Sequence, residues 1–76
     1  MTVSTLELDA CGLACPMPLL KAKQALNKMA SGERLQVTAT DRGSWRDFQV
    51  FAEHSGHKLL ERQEVDGIYR YLLEKK

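Results

Sequence analysis

Cys15-Pro16-Met17-Pro18 stands where an apolar, alternating stretch and a glycine-containing loop give way to a run of helical periodicity. A cysteine at the mouth of a helix lies near unpaired first-turn N–H groups and the positive end of the helix dipole. Both favour thiolate over thiol and lower a pKa that starts near about 8.5. Pro16 suits the first helical position, because its φ is already set and its missing N–H would have gone unpaired. Pro18 removes a second first-turn donor. With Cys15 as the cap, the Met17 N–H is then the donor expected at the sulfur. The arrangement predicts a rigid support for one exposed, moderately activated thiol, and therefore sulfur chemistry.

The elements that position this thiol can be read on both sides of it. Thr5 to Asp9 alternates, with Leu6 and Leu8 on one side, and reads as a strand; Ala10 to Ala14 is a loop. From Pro16 to Ala30, Leu19, Ala22, Leu26 and Met29 recur at helical spacing, widened by Leu20 and Ala25. Ser31-Gly32 supplies the stop. Leu35 to Thr40 alternates again, so the two strands should run parallel with a right-handed crossover. Ser44, with Asp47 three residues on, resembles a capping box that opens a second helix. That helix carries Trp45, Phe48, Phe51 and Ala52 toward the core and stops at Ser55-Gly56. Strands over Lys58 to Val65 and Ile68 to Leu73 flank the hairpin signal Asp66-Gly67. Glu61, Arg62, Gln63 and Glu64 mark the former as a charged edge strand. The expected fold is an α/β (α+β) two-layer sandwich of order β-α-β-α-β-β, a four-stranded mixed sheet with two helices on one face.

Length and composition limit the alternatives. Seventy-six residues make a single domain, and a chain this short buries only about 60% of its unfolded surface. A net charge of +1 gives no electrostatic case for nucleic acid or an anionic membrane. No apolar run approaches the roughly 20 residues of a membrane span. Met1 to Ala10 lacks the basic start and apolar core of a signal peptide, so the cytoplasm is the expected location. Two cysteines in such a chain argue against a disulfide scaffold. His54 and His57 with Cys11 and Cys15 match the count of a zinc site, but the gap between the pairs spans two helices and a strand, so no metal is expected.

Other residues carry two readings each. Gly12 permits a turn that lifts the loop toward the sulfur. Asp9 either holds that loop through backbone N–H groups or is simply an acid at a strand end. Cys11 reads first as a small loop residue, and second as a thiol able to protect or resolve the reactive Cys15 sulfur or to form a regulatory disulfide with it. Lys21, Lys23 and Lys28 form a solvated face; Lys21 and Lys23, with Arg42 and Arg46 beyond the second strand, are also candidates for docking an acidic partner.

The stretch Leu8-Asp9-Ala10-Cys11-Gly12-Leu13-Ala14-Cys15-Pro16-Met17-Pro18 resembles the signature of the TusA, or SirA-like, sulfur-carrier family: an Asp and a Gly upstream, then Cys-Pro-x-Pro. Size, element order, Ala39-Thr40-Asp41, Arg46-Asp47-Phe48 and Asp66-Gly67 with Tyr71-Leu72-Leu73 extend the resemblance over nearly the whole chain. It implies that Cys15 bears sulfur as a transient persulfide with no other cofactor. The donor would be a cysteine desulfurase or a rhodanese-type sulfurtransferase, and the recipient a downstream acceptor protein. It implies use in tRNA thiolation, molybdenum-cofactor biosynthesis or sulfur oxidation. Ala14 stands where the tRNA-thiolation carriers often have Arg, and Arg42 to Phe48 looks closer to carriers linked to sulfur oxidation. A carrier of this kind acts with partner enzymes and works as a monomer. The competing reading is a small regulatory module that binds nucleic acid or protein without sulfur transfer; such a module has no use for Cys-Pro-x-Pro.

Overall fold

The computed structural model describes residues 5–76, so the start of the segment read above for a signal peptide, residues 1–4, lies outside the described residues. Six elements follow in order: β1 (Thr5–Ala10), α1 (Met17–Asn27), β2 (Arg34–Ala39), α2 (Ser44–Ser55), β3 (Lys58–Val65) and β4 (Ile68–Glu74). The sheet order is β1-β2-β4-β3, with β1 and β2 parallel and the other pairs antiparallel. This is the expected α+β arrangement with a mixed sheet.

Period-two alternation decides which face is covered. Leu35, Val37 and Ala39 of β2 are buried, and across the ladder Leu35 and Val37 face Leu73 and Tyr71 of β4, also buried. Ala10 of β1 sits opposite Ala39 and completes that face. Above it α1 contributes Pro18, Ala22 and Leu26, with Met29 just beyond the helix, and α2 contributes Phe48. Phe48 and Tyr71 stack with ring centroids 4.4 Å apart. α1 packs on β1 and β2, α2 on β3 and β4.

β3 is an edge strand, as its charges predict. Its register slips between Leu59 and Glu61, which leaves Leu60 exposed and breaks the flat ladder that would invite another chain to pair. Asp66 and Gly67 both have positive φ, at 52° and 79°, which matches a type I′ hairpin turn.

Two helix ends differ from expectation. α1 stops at Asn27, three residues before Ala30. Lys28 and Met29 donate to the carbonyls of Ala25 and Leu26, and these shorter-range bonds tighten and end the helix. Gly32, with φ of 87°, serves the following turn instead, where its N–H bonds the Lys75 carbonyl. The Ser44/Asp47 capping box does not form. Gly43 is the cap residue, and the Ser44 hydroxyl is taken by the Asp41 carbonyl and the Tyr71 hydroxyl, each at 2.6 Å. Leu20, placed on the apolar stripe of α1 from sequence, is 42% exposed.

The C-terminus is clamped by His57, whose Nδ1 accepts the Lys76 N–H at 3.1 Å beside the Phe51 ring. Burial, and then the charges of Lys75 and Lys76, push the His57 pKa below its ordinary value. The unfolded chain therefore binds the proton more readily, and the stability gained from a neutral His57 is lost as pH falls. Thermal unfolding should show the midpoint dropping from about pH 6.5 downward, and His57→Gln should flatten that part of the profile. Equal slopes for the two proteins would remove His57 from the explanation.

Candidate functional site

The parallel β1–β2 pair sends both of its following connections to the same edge of the sheet, where the chain turns into α1 and α2. Open α/β sheets place their sites beyond the carboxyl ends of such strands. The loop after β1 is pinned there by backbone donors. Cys11 N–H bonds Asp9 Oδ1 at 3.0 Å, and Gly12 N–H bonds Thr40 Oγ1 at 2.9 Å. Leu13 N–H reaches the Ala10 carbonyl. Gly12 has φ of 81°, a conformation that side chains other than glycine's resist. Asp9 therefore holds the loop backbone, and its bonds from Cys11 lower its carboxyl pKa.

Cys15 is exposed, in the turn that leads into α1. The Cys15–Pro16 peptide is cis. Pro16, not Cys15, is the cap residue of α1, Met17 is exposed, and Pro18 lies within the first turn and is buried. The Met17 N–H donates to the Ala14 carbonyl at 2.8 Å. It is thus committed to closing the turn, and the expected bond from Met17 to the sulfur is not made.

The sulfur instead points toward α2. Cys15 Sγ donates to Asp47 Oδ2 at 2.9 Å, a contact between residues 32 apart in the chain. The Asp47 hydrogen bond, partial desolvation and the charges of Asp47 and Asp41 together raise the Cys15 pKa above that of an ordinary thiol. This reverses the expectation of an activated thiolate. A carboxylate that accepts the thiol proton stabilises the neutral form and repels the anion, and it dominates because it touches the sulfur directly.

Gly43 forms the adjoining wall. A Cβ there would stand 3.0 Å from Asp41 Oδ2 and 3.8 Å from Cys15 Sγ. Asp41 Oδ2 is buried and has no hydrogen-bond partner among the described residues. A branched side chain in Gly43→Val would crowd Asp41 and cover the sulfur. Alkylation of Cys15 by a bulky maleimide should slow several-fold with little change for a small reagent; unchanged rates with both would contradict this placement.

From sequence, Asp47 reads as the acid of a helix cap and as part of the family resemblance; its place beside the Cys15 sulfur is what sequence reasoning misses. The available signal was topological: both helices begin beyond parallel strand ends, so an acid one turn into the second can meet a thiol at the start of the first. The basic residues split. Lys23 and Arg46 line a shallow hollow of about 450 Å³ between α1 and α2, together with Leu19, Asp47, Val50 and Phe51. Lys23 Nζ lies 5.5 Å from the Phe51 ring centroid. Arg42 borders a different hollow with Trp45, Glu64 and Tyr69. Lys21 is exposed on α1. Cys11 is exposed and free, and its thiol pKa is raised, chiefly by Asp9. Among the described residues no cluster of three His, Cys, Asp or Glu side chains could hold a metal ion, and no helix is long and apolar enough to cross a membrane.

An exposed thiol on a pinned turn is within reach of a second macromolecule, the arrangement of a protein that exchanges at sulfur with a partner. Residues 6–75 match the family described as Sulfurtransferase TusA, and the chain belongs to that family. The Sulfur carrier protein TusA of Allochromatium vinosum is 51% identical over 69 residues, covering 91% of each chain. A putative sulfur carrier protein of Neisseria meningitidis is 45% identical over 69 residues, 91% of this chain and 93% of its own. The crystal structure of a SirA-like protein from Desulfitobacterium hafniense superposes with a TM-score of 0.81 at 30% identity, covering 91% of this chain and 95% of that one.

Proposed function

We propose that this chain is a sulfur carrier that takes sulfane sulfur onto Cys15 as a persulfide and passes it to an acceptor protein. The observation that carries the reading is the exposed Cys15 in the pinned turn before α1, in a chain whose relatives are named sulfur carrier proteins. In loading, Cys15 Sγ bonds to the outer sulfur of a donor persulfide as the donor's S–S bond breaks, leaving the donor cysteine as thiolate. In release, an acceptor thiolate attacks that same sulfur and the electron pair returns to Cys15 Sγ, which regains a proton. Each step is an in-line thiol exchange with no net oxidation. Cys15 is the reacting group; Asp9 and Gly12 hold the loop, and Pro16, Met17 and Pro18 build the turn.

The donor is a cysteine desulfurase or a rhodanese-type protein, and the acceptor is a protein thiol of a thiolation, molybdenum-cofactor or sulfur-oxidation route. All of these need only the same exchange. Two free, exposed cysteines fit a reducing compartment and hence the cytoplasm. The protein acts as a monomer with no nucleic acid, membrane or bound cofactor. Incubation with a desulfurase and sulfur-radiolabelled cysteine should place reductant-labile label on the chain, as should a rhodanese with labelled thiosulfate if that is the donor. Label from neither would overturn the reading.

A further inference from the structure

The exchange chemistry makes one demand that the site, as built, opposes. Attack requires thiolate, yet Cys15 Sγ donates its proton to Asp47 Oδ2 at 2.9 Å, and the unpartnered carboxylate oxygen of Asp41 lies buried beyond Gly43. Asp47 occupies the first turn of α2, held there by its N–H bond to the Gly43 carbonyl. The Gly43 turn is itself locked by Ser44, bonded to Asp41 and Tyr71. The backbone that carries Asp47 is therefore fixed beside the turn that carries the sulfur, and its carboxylate accepts from the thiol there. The Lys and Arg side chains of these elements are Lys21 and Lys23 on α1, Arg46 on α2 and Arg42 before it, of which Lys23 and Arg46 share a hollow with Asp47. None of these cations is among the groups that act on the thiol, which are Asp47 and then Asp41.

We infer that Asp47 sets the reactivity of Cys15, holding the thiol proton in the free carrier and slowing both the loading and the release of sulfur. This rests on the carrier reading and assigns a regulating group to it. Two consequences follow from thiol exchange. A smaller thiolate fraction slows attack on the donor, and a more basic Cys15 is a poorer leaving group when an acceptor attacks its persulfide. In release, the departing Cys15 thiolate takes up a proton and restores the bond to Asp47. A free carrier of this design exchanges slowly with small thiols and disulfides in solution.

Asp47→Asn removes the charge, keeps the shape and adds an amide N–H able to donate to the thiolate. For each tenfold gain in thiolate, the lower basicity takes back about threefold in nucleophilicity, so the alkylation rate near neutral pH should rise, by about threefold for every such gain. The experiment is the pH profile of iodoacetamide alkylation in a Cys11→Ser background, where only Cys15 reacts. The profile of Asp47→Asn should move to lower pH, while Asp47→Glu stays nearer the parent. Superimposed profiles for Asn and parent, or a move to higher pH, would overturn the inference. A second measurement needs no change at Asp47: thiolate absorbance of the Cys11→Ser protein should develop at higher pH folded than in denaturant. Ionisation at the same or lower pH when folded would overturn the inference equally. Neither readout involves sulfur loading, so a chain that accepts no sulfur could still show the shift, and the two ideas fail separately.

Discussion

Cys15→Ser should lose persulfide formation completely, with no measurable change in stability. The reason is chemical. A serine hydroxyl does not form a stable bond to sulfane sulfur under conditions in which a thiol exchanges, so the loss is total. Structurally the change is mild: Cys15 is exposed, and a hydroxyl can donate to Asp47 as the thiol does. Exposed substitutions of this kind alter stability by only about 0.5 kcal/mol. The paired control is Cys11→Ser. Cys11 is also exposed and free, but its N–H is bonded to Asp9, whose carboxylate raises its thiol pKa. Cys11→Ser should keep full loading. Radiolabel transfer separates the outcomes, and loading that followed Cys11 would place the carrier thiol elsewhere than proposed.

Phe48→Ala should be the most damaging single change to the fold. Phe48 is fully buried and stacks on Tyr71, whose hydroxyl meets Ser44 at the start of the same helix. Truncating a buried Phe costs about 3 to 5 kcal/mol, partly from lost transfer free energy and partly from the cavity left behind. A chain of 76 residues commands about 4 to 11 kcal/mol in total, so the variant should be largely unfolded or close to it. Urea denaturation is the measurement, with the midpoint strongly reduced. A loss under about 1 kcal/mol would mean that the sheet closes over the gap and that α2 is held by other contacts. The consequence extends to the site, because Asp47 lies one residue before Phe48 and depends on the same helix for its place beside Cys15.

What could be read in the sequence was what local pattern encodes. Leu35, Val37 and Ala39 alternate because one face of β2 is buried, and that burial is what the structure shows. Asp66-Gly67 marks its turn because both residues adopt positive φ. The charged run from Glu61 to Glu64 signals an edge because it lies on the outermost strand and is exposed apart from Arg62, which rests half-buried over the Trp45 ring. The electrostatic state of the thiol was not legible in this way. Local reasoning placed Cys15 over the end of α1 and inferred activation, but the group that governs the sulfur is 32 residues away on another helix. The same competition undid the capping box. Ser44 could cap its own helix only by giving up Asp41 and the buried hydroxyl of Tyr71, and a buried hydroxyl without a partner is costly. Helix α1 ends early because Lys28 and Met29 bond to the carbonyls three residues back, a tightening that the apolar periodicity does not disclose since Met29 reaches the core either way. The cysteine's place and its sulfur chemistry were thus readable, and the direction in which the fold shifts its thiol was not.

Intact-protein mass spectrometry after incubation with a cysteine desulfurase and cysteine, and in parallel with a rhodanese and thiosulfate, tests the central claim most directly. The account predicts the gain of a single sulfur atom from at least one donor, reversed by reductant and mapped by digestion to the peptide containing Cys15. An unchanged mass with both donors, or added sulfur that maps to Cys11 and persists in Cys15→Ser, would contradict it.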